Sequence, residues 1–327
     1  MRKFALLLAL LPLPAVAGIQ ETIDTHIMPA AEAFSTATKA LADAAAEDCT
    51  AKALHPDYQH AFDAWMGLSH LSFGPLETEG RALAIEFWPD PRGMVARTVG
   101  GMIADADPAV DDPVQFATVS VAGRGFMALE QLLYDDDLSA YGPDDYTCRY
   151  VQAISGDLNR MAGDILADWS DHARLMTGAG ADGNTHYLSE SEVTQTFYTA
   201  LLTTLEFDAD QRLGRPLGTF ERPRLTRAEA YRSGRSLRNL SLSLSALHDL
   251  AGTMFGADMP VTDRSFATAL ETAGSLDDPI FAGVEEPQSR LRIEILQQQV
   301  HAAREAVSAE IGGELGLSAG FNSRDGD

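Results

Sequence analysis

Residues 150–169 read Tyr-Val-Gln-Ala-Ile-Ser-Gly-Asp-Leu-Asn-Arg-Met-Ala-Gly-Asp-Ile-Leu-Ala-Asp-Trp. Tyr150, Ile154, Leu158, Met161, Ile165 and Trp169 recur at intervals of three and four, the spacing of one apolar face of a long α-helix. The stretch shows no period-two alternation, and none of the flanking segments does either. Upstream, Ile19 to about Glu47 is Ala-rich with helical spacing, Pro56 marks a break, and Tyr58 to Leu71 forms a second helix with Phe62, Trp65 and Met66 on one face. Two prolines in three positions make 87–91 a loop. Val114 to Tyr134 reads as one helix, kinked where Gly123 and Gly125 interrupt it. Downstream, Gly178, Gly180 and Gly183 mark a linker. Ser189 and Glu192 form a capping box opening a helix that runs to about Leu213, and Thr226 with Glu229 forms a second one. That second box leads into a helix carrying Leu237, Leu240, Leu244, Leu247 and Met254. Segments around Phe266 to Thr272 and from Ser289 to about Ile311 complete the set. The expected fold is all-α: two helical domains resembling four-helix bundles, 18–180 and 181–327, packed against each other.

The chain has 327 residues, with 24 Lys+Arg against 48 Asp+Glu and a formal net charge of −24. A nucleic-acid binder needs a basic surface, and docking on an anionic membrane needs the same, so this balance argues against both. Residues 1–17 have the form of a signal peptide: Arg2 and Lys3, an apolar run from Phe4 to Leu13, then the small-x-small cleavage pattern Ala15-Val16-Ala17. No cysteine follows for a lipid anchor, and no later run of 18 apolar residues offers a membrane span. The expectation is a periplasmic protein, cleaved near Ala17, with no membrane anchor and no nucleic-acid partner. In an oxidising compartment Cys49 and Cys148, the two cysteines of the chain, are expected to form a disulfide. A catalytic or metal-binding thiol would want a CxxC or a Cys-His companion, which neither has. Closing a loop of about 100 residues stabilises by up to roughly 4–5 kcal/mol in the chain-entropy model.

Three motif matches fail on context. Gly178-Ala-Gly180-Ala-Asp-Gly183 fits a dinucleotide fingerprint but follows no strand. Gly316-Leu-Ser318-Ala-Gly320 fits a nucleophile elbow, yet no histidine follows it. The acidic loop with Asp105, Asp107, Asp111 and Asp112 lacks the central Gly and closing Glu of a calcium loop. Glu130 is different, because it lies among Leu129, Leu132 and Leu133. A carboxylate there must be paired, hydrogen-bonded, metal-bound or on the wet face, and periodicity alone favours the wet face or an ion pair. Glu206, beside Leu205 and Phe207, is a second candidate inward carboxylate. Arg235 and Asn239 place polar groups beside an apolar stripe. Arg235 is the expected cationic partner of Glu130, with Asn239 one turn on sharing its face.

Several pieces together resemble the imelysin-like, or M75 peptidase-like, family of exported bacterial proteins. They are Glu86-Phe87-Trp88-Pro89-Asp90, Gly125 to Glu130, Tyr187-Leu188-Ser189, Leu205-Glu206-Phe207 with Gly214-Arg215-Pro216-Leu217-Gly218, 233–239, and Gly320-Phe321-Asn322. The resemblance implies two helical domains with a site between them, and an association with iron-regulated or iron-uptake proteins. The family's GxHxxE signature maps onto Gly125, Met127 and Glu130, with methionine in place of histidine. A thioether is a poor ligand for iron or zinc. Together, the residue readings and the resemblance give a candidate site of Glu130, Met127, Gly125, Arg235, Asn239, Glu206, Trp88 and Asp90, with Glu130 as the expected ligand for iron or another divalent metal. Three roles follow: a non-peptidase function linked to metal uptake or binding, a metallopeptidase using Glu130, or a metal-free module for an envelope protein partner.

Overall fold

The computed structural model describes residues 18–318, so the signal sequence and the Gly320-Phe321-Asn322 motif lie outside the described residues. Among those described there is no strand, and the sole bridge joins Thr219 and Arg222. Helix α1 covers 19–47 as Ile19–Thr22, a π turn Ile23–Ile27 and Met28–Glu47. Then come α2 (Ala51–Met66), α3 (Met94–Asp105), α4 (Gly125–Tyr134) and the long α5 (Tyr146–Thr177). Helix α6 combines Glu190–Phe207, a π turn Asp208–Leu213 and Gly214–Leu217. Helices α7 (Ser236–Phe255), α8 (Pro260–Ser275) and α9, which opens as Pro287–Val307, close the fold.

The apolar stripe of 150–169 behaves as its spacing demands. Tyr150, Ile154, Leu158, Met161, Ile165 and Trp169 are all buried, and α5 packs against α1 and α4. Helix α2 packs on α1 and α4, while α6 packs on α7 and α9, and α8 on α7 and α9. The two groups meet where α7 crosses α2 and where the start of α1 leans on α6 and α7. One connected hydrophobic core runs through both. The Cys49–Cys148 disulfide ties the end of α1 to the start of α5 across 99 residues of chain.

Three local expectations are corrected. Pro56 does not break the chain, because it sits inside α2. It lies in the second turn on the exposed side, where the carbonyl left unbonded, that of Lys52, belongs to an exposed residue. The segment 114–134 is not one kinked helix. It is a short helix Pro113–Phe116, a 3-10 turn Val121–Gly123 and then α4. Gly125 has φ 68°, and a Cβ there would collide with the carbonyl oxygens of Ala84 and Ile85. A side chain cannot be accommodated, so the chain turns at this glycine and starts a new helix against 81–85. The Thr226 capping box opens no helix either. Leu225–Arg227 is a single 3-10 turn, and the chain loops until α7 begins at Ser236.

Candidate functional site

Two groups of buried polar side chains lie where the two sets of helices meet. The first centres on Glu130. Because α4 starts against 81–85, its Glu130 turns inward and is only 1% exposed. Its Oε1 accepts from the Ser233 backbone N–H at 2.9 Å and from Ser233 Oγ at 2.7 Å. Burial pushes the Glu130 carboxyl above its usual range. The two Ser233 bonds and the charges of Arg232 and Arg235 only partly oppose that push.

The expected Glu130–Arg235 ion pair is not what forms. The turn from Ala230 to Arg235, with Gly234 at φ 73°, presents Ser233 to α4 and Arg235 to α2. The fully buried Arg235 donates to Gln59 O (3.0 Å) and Gln59 Oε1 (2.6 Å), to Asp63 Oδ1 (2.8 Å) and to Asn239 Oδ1 (3.1 Å). Its guanidinium also lies 4.6 Å from the Phe62 ring centroid, a cation–π contact. Arg238 joins the same Asp63 carboxylate. Burial pushes Asp63 up, but the bonds from Arg238 and Arg235 outweigh it and hold the carboxyl below its usual range. Arg235 and Asn239 do share a face, and Asn239 Nδ2 passes the chain of bonds on to Glu229 Oε2 at 2.8 Å.

The second group centres on Arg212, in the π turn of α6. It donates to Glu229 Oε1 and Oε2 at 3.1 and 2.9 Å and to Asp208 Oδ1 at 2.5 Å. Ser243 Oγ donates to the other Asp208 oxygen at 2.8 Å. Burial pushes Asp208 up to about 6 against the pull of Arg212. In Glu229 burial pushes the same way, but the Arg212 charge and the bonds it receives win, and the carboxyl is lowered. Glu86 completes the group. Its Oε2 accepts from Trp65 Nε1 at 2.6 Å, while its buried Oε1 has no donor. Burial and then the Glu229 charge push Glu86 well above the carboxylate range. That push favours the protonated form of Glu86 beside the charged Glu229.

Glu206 is not an inward carboxylate. Its side chain is 48% exposed and pairs with Arg304 at 3.0 Å. It projects from the face of α6 that meets the rim of α9, and the inward place is taken two residues later by Asp208. Gly125 lies beneath the site as the start of α4, and Arg235 and Asn239 stand behind it. Trp88, Asp90, Met127 and Glu130 line a cavity of about 250 Å³ between the 87–96 segment, α4 and the 226–232 turn. Asp90 accepts from the backbone N–H groups of Arg92, Met94 and Val95 and so caps α3. Trp88 packs edge-on against Phe207.

The residues around Glu130 do not fit a metal cation. Its Oε1 is committed to Ser233, and Met127 offers a thioether. Arg215, Arg227 and Arg232 complete the wall with positive charge. Among the described residues no group of three His, Cys, Asp or Glu could hold an ion. The sequence reading missed these three arginines, and it missed Glu86, Asp208, Arg212, Glu229 and Asp63. One signal was present: residues 212–238 contain eight arginines and two glutamates, in a chain of net charge −24. Among the described residues no helix is long and apolar enough to cross a membrane.

The imelysin model of the peptidase M75 family matches residues 25–307. The chain is 22% identical over 275 residues to iron-regulated protein A of Synechococcus elongatus, covering 77% of this chain and 71% of that one. Its fold is similar to the crystal structure of an imelysin-like protein from Psychrobacter arcticum, with TM-score 0.76 and 20% identity over 93% of this chain and 96% of that one. It is also similar to the crystal structure of a protein from Parabacteroides distasonis described as an iron-regulated protein A precursor. There the TM-score is 0.66 and the identity 12%, over 90% and 94% of the two chains. With the model match spanning most of its length, the chain belongs to the imelysin family.

Proposed function

We propose that this is an exported, periplasmic binding protein with a non-peptidase role linked to iron, whose site is the Glu130 cavity between an N-terminal helical domain (18–180) and a C-terminal one. The observation that carries the reading is the state of Glu130. It is buried, bonded to Ser233 and pushed toward its neutral form. A metallopeptidase needs a carboxylate free to ligate an ion or to take a proton from a metal-activated water. Here burial pushes the carboxyl up, its Oε1 joins α4 to the 230–235 turn, and the residue forms part of the wall of a half-open cleft. Such a space suits a bound small molecule. The iron link rests on the relative in Synechococcus elongatus, whose name states iron regulation. The signal-like residues 1–17 support export.

Incubation of the purified protein with a denatured protein substrate tests the reading. No cleavage is expected. Chelator-sensitive cleavage that disappears in Glu130→Gln would replace it with the metallopeptidase. The iron link is tested by following the protein's level in its source cells under iron limitation, where a rise is expected and an unchanged level counts against it.

A further inference from the structure

The cavity at Glu130 carries a charge opposite to that of the chain around it. Three arginines, Arg215, Arg227 and Arg232, line a space of about 250 Å³. Arg232 is partly neutralised, because it pairs with Asp135 at 3.2 Å and lies over the Tyr231 ring. Arg215 donates to a neutral partner, Gln211 Oε1, at 3.0 Å. Among the described residues no carboxylate forms an ion pair with Arg215 or Arg227, although the chain has twice as many acids as bases. The two stand near enough that the Arg227 charge, after burial, lowers the affinity of Arg215 for its proton. Holding two like charges together at a wall is unfavourable unless something of opposite sign occupies the space between them. The cavity's own acids do not serve. Asp90 is taken up by three backbone N–H groups, and Glu130 is held at Oε1 by Ser233 and pushed toward its neutral form by burial.

We propose that this cavity binds a small organic polyanion, a di- or tricarboxylate, with Arg215, Arg227 and Arg232 holding its carboxylates and Trp88 and Tyr231 packed on its carbon skeleton. The inference rests on the Glu130 cavity being the binding site argued above, and it names the ligand class. Guanidinium groups match planar carboxylates bidentately. The aromatic and thioether walls of Trp88, Tyr231 and Met127 favour a ligand with a carbon frame over a bare inorganic anion. The volume of about 250 Å³, partly open to solvent, accommodates a compact acid of this class. Iron would then reach the site only as the chelate of such an acid, since the protein's own groups there repel a free cation.

Calorimetry and tryptophan fluorescence on the purified full chain test this with four probes: citrate, its ferric complex, inorganic phosphate and Fe(II) alone. Citrate is expected to bind and to change the emission of Trp88, with the change absent in Trp88→Phe. Arg227→Ala, at an exposed residue, is expected to weaken citrate by roughly tenfold or more, as is Arg215→Ala. Added salt is expected to weaken it further. Binding of the ferric complex but not of free citrate would keep the ligand class and assign the chelate as its source. The inference is overturned if citrate and its ferric complex both fail to bind, or if both arginine variants bind citrate as the parent does. Equal or tighter binding of phosphate, or of Fe(II) alone, overturns it too. Those failures leave the absence of cleavage untouched. Chelator-sensitive cleavage requiring Glu130 would instead remove the functional reading while leaving the citrate isotherm as measured.

Discussion

Arg212 and Arg227 lie fifteen residues apart in one arginine-rich stretch, and the molecule uses them in opposite ways. Arg212 is buried and fully answered by Asp208, Glu229 and Ser243. Arg227 is exposed at the cavity wall, beside another arginine and with no carboxylate paired to it. In the Arg212 group the guanidinium is matched on both sides by carboxylates from within the chain. The cavity wall leaves charge unmatched. The difference separates a guanidinium that holds the fold together from one available to a ligand, and burial alone would have pointed to the wrong one.

The buried arginine should give the largest effect. Arg212→Met should strand Asp208 and Glu229 without a counter-charge and cost about 3–5 kcal/mol, read from urea unfolding. A loss below about 1 kcal/mol would mean that the network is not structural. The next effect is pH-dependent. With its folded pKa raised to about 6, Asp208 binds its proton more tightly folded than unfolded. Its contribution to stability is therefore fully present below about pH 4 and lost as the pH rises through about 6. The stability of the parent minus that of Asp208→Asn should fall over that window, and a flat difference would contradict the burial argument.

Glu130→Gln probes the boundary between the two regions. An amide oxygen can still accept both Ser233 bonds, and the carboxyl it replaces is already pushed toward neutrality. The expected loss is below about 1 kcal/mol. A loss as large as that of Arg212→Met would make Glu130 an ionised member of the structural network. The smallest effect belongs to Arg227→Ala, expected within about 0.5 kcal/mol of the parent in thermal or urea unfolding. A larger loss would show an internal partner for this side chain and erase the contrast with Arg212.

Much of the fold was legible in order of sequence, and the site much less so. The three-and-four spacing of Tyr150 to Trp169 needs no partner to declare a helix, because the period belongs to the chain itself. The Cys49–Cys148 pairing follows from there being two cysteines to join. Glu130 was singled out by its apolar neighbours, and Trp88, Asp90 and Met127 were named beside it by resemblance. Glu206 and Asp208 show the limit. They are two residues apart on one helix, yet one is half exposed and the other fully buried, and the apolar neighbours of Glu206 pointed to the wrong one. Thr226 and Glu229 had the spacing of a capping box, but Glu229 faces Arg212 and Asn239 in the interior.

What the sequence determined by itself was therefore local and periodic: helices, their apolar faces, and a disulfide. The pairing of charges, by contrast, came from how the elements pack on one another. Arg235 goes to Asp63 and Gln59 rather than to Glu130, and Arg215 and Arg227 are left at a cavity with no acid of their own. The reason is physical. A helical period fixes the direction of a side chain relative to its own axis, whereas an ion pair depends on the position and rotation of a second element. Those are set by packing over the whole core, through contacts that no single stretch of sequence contains.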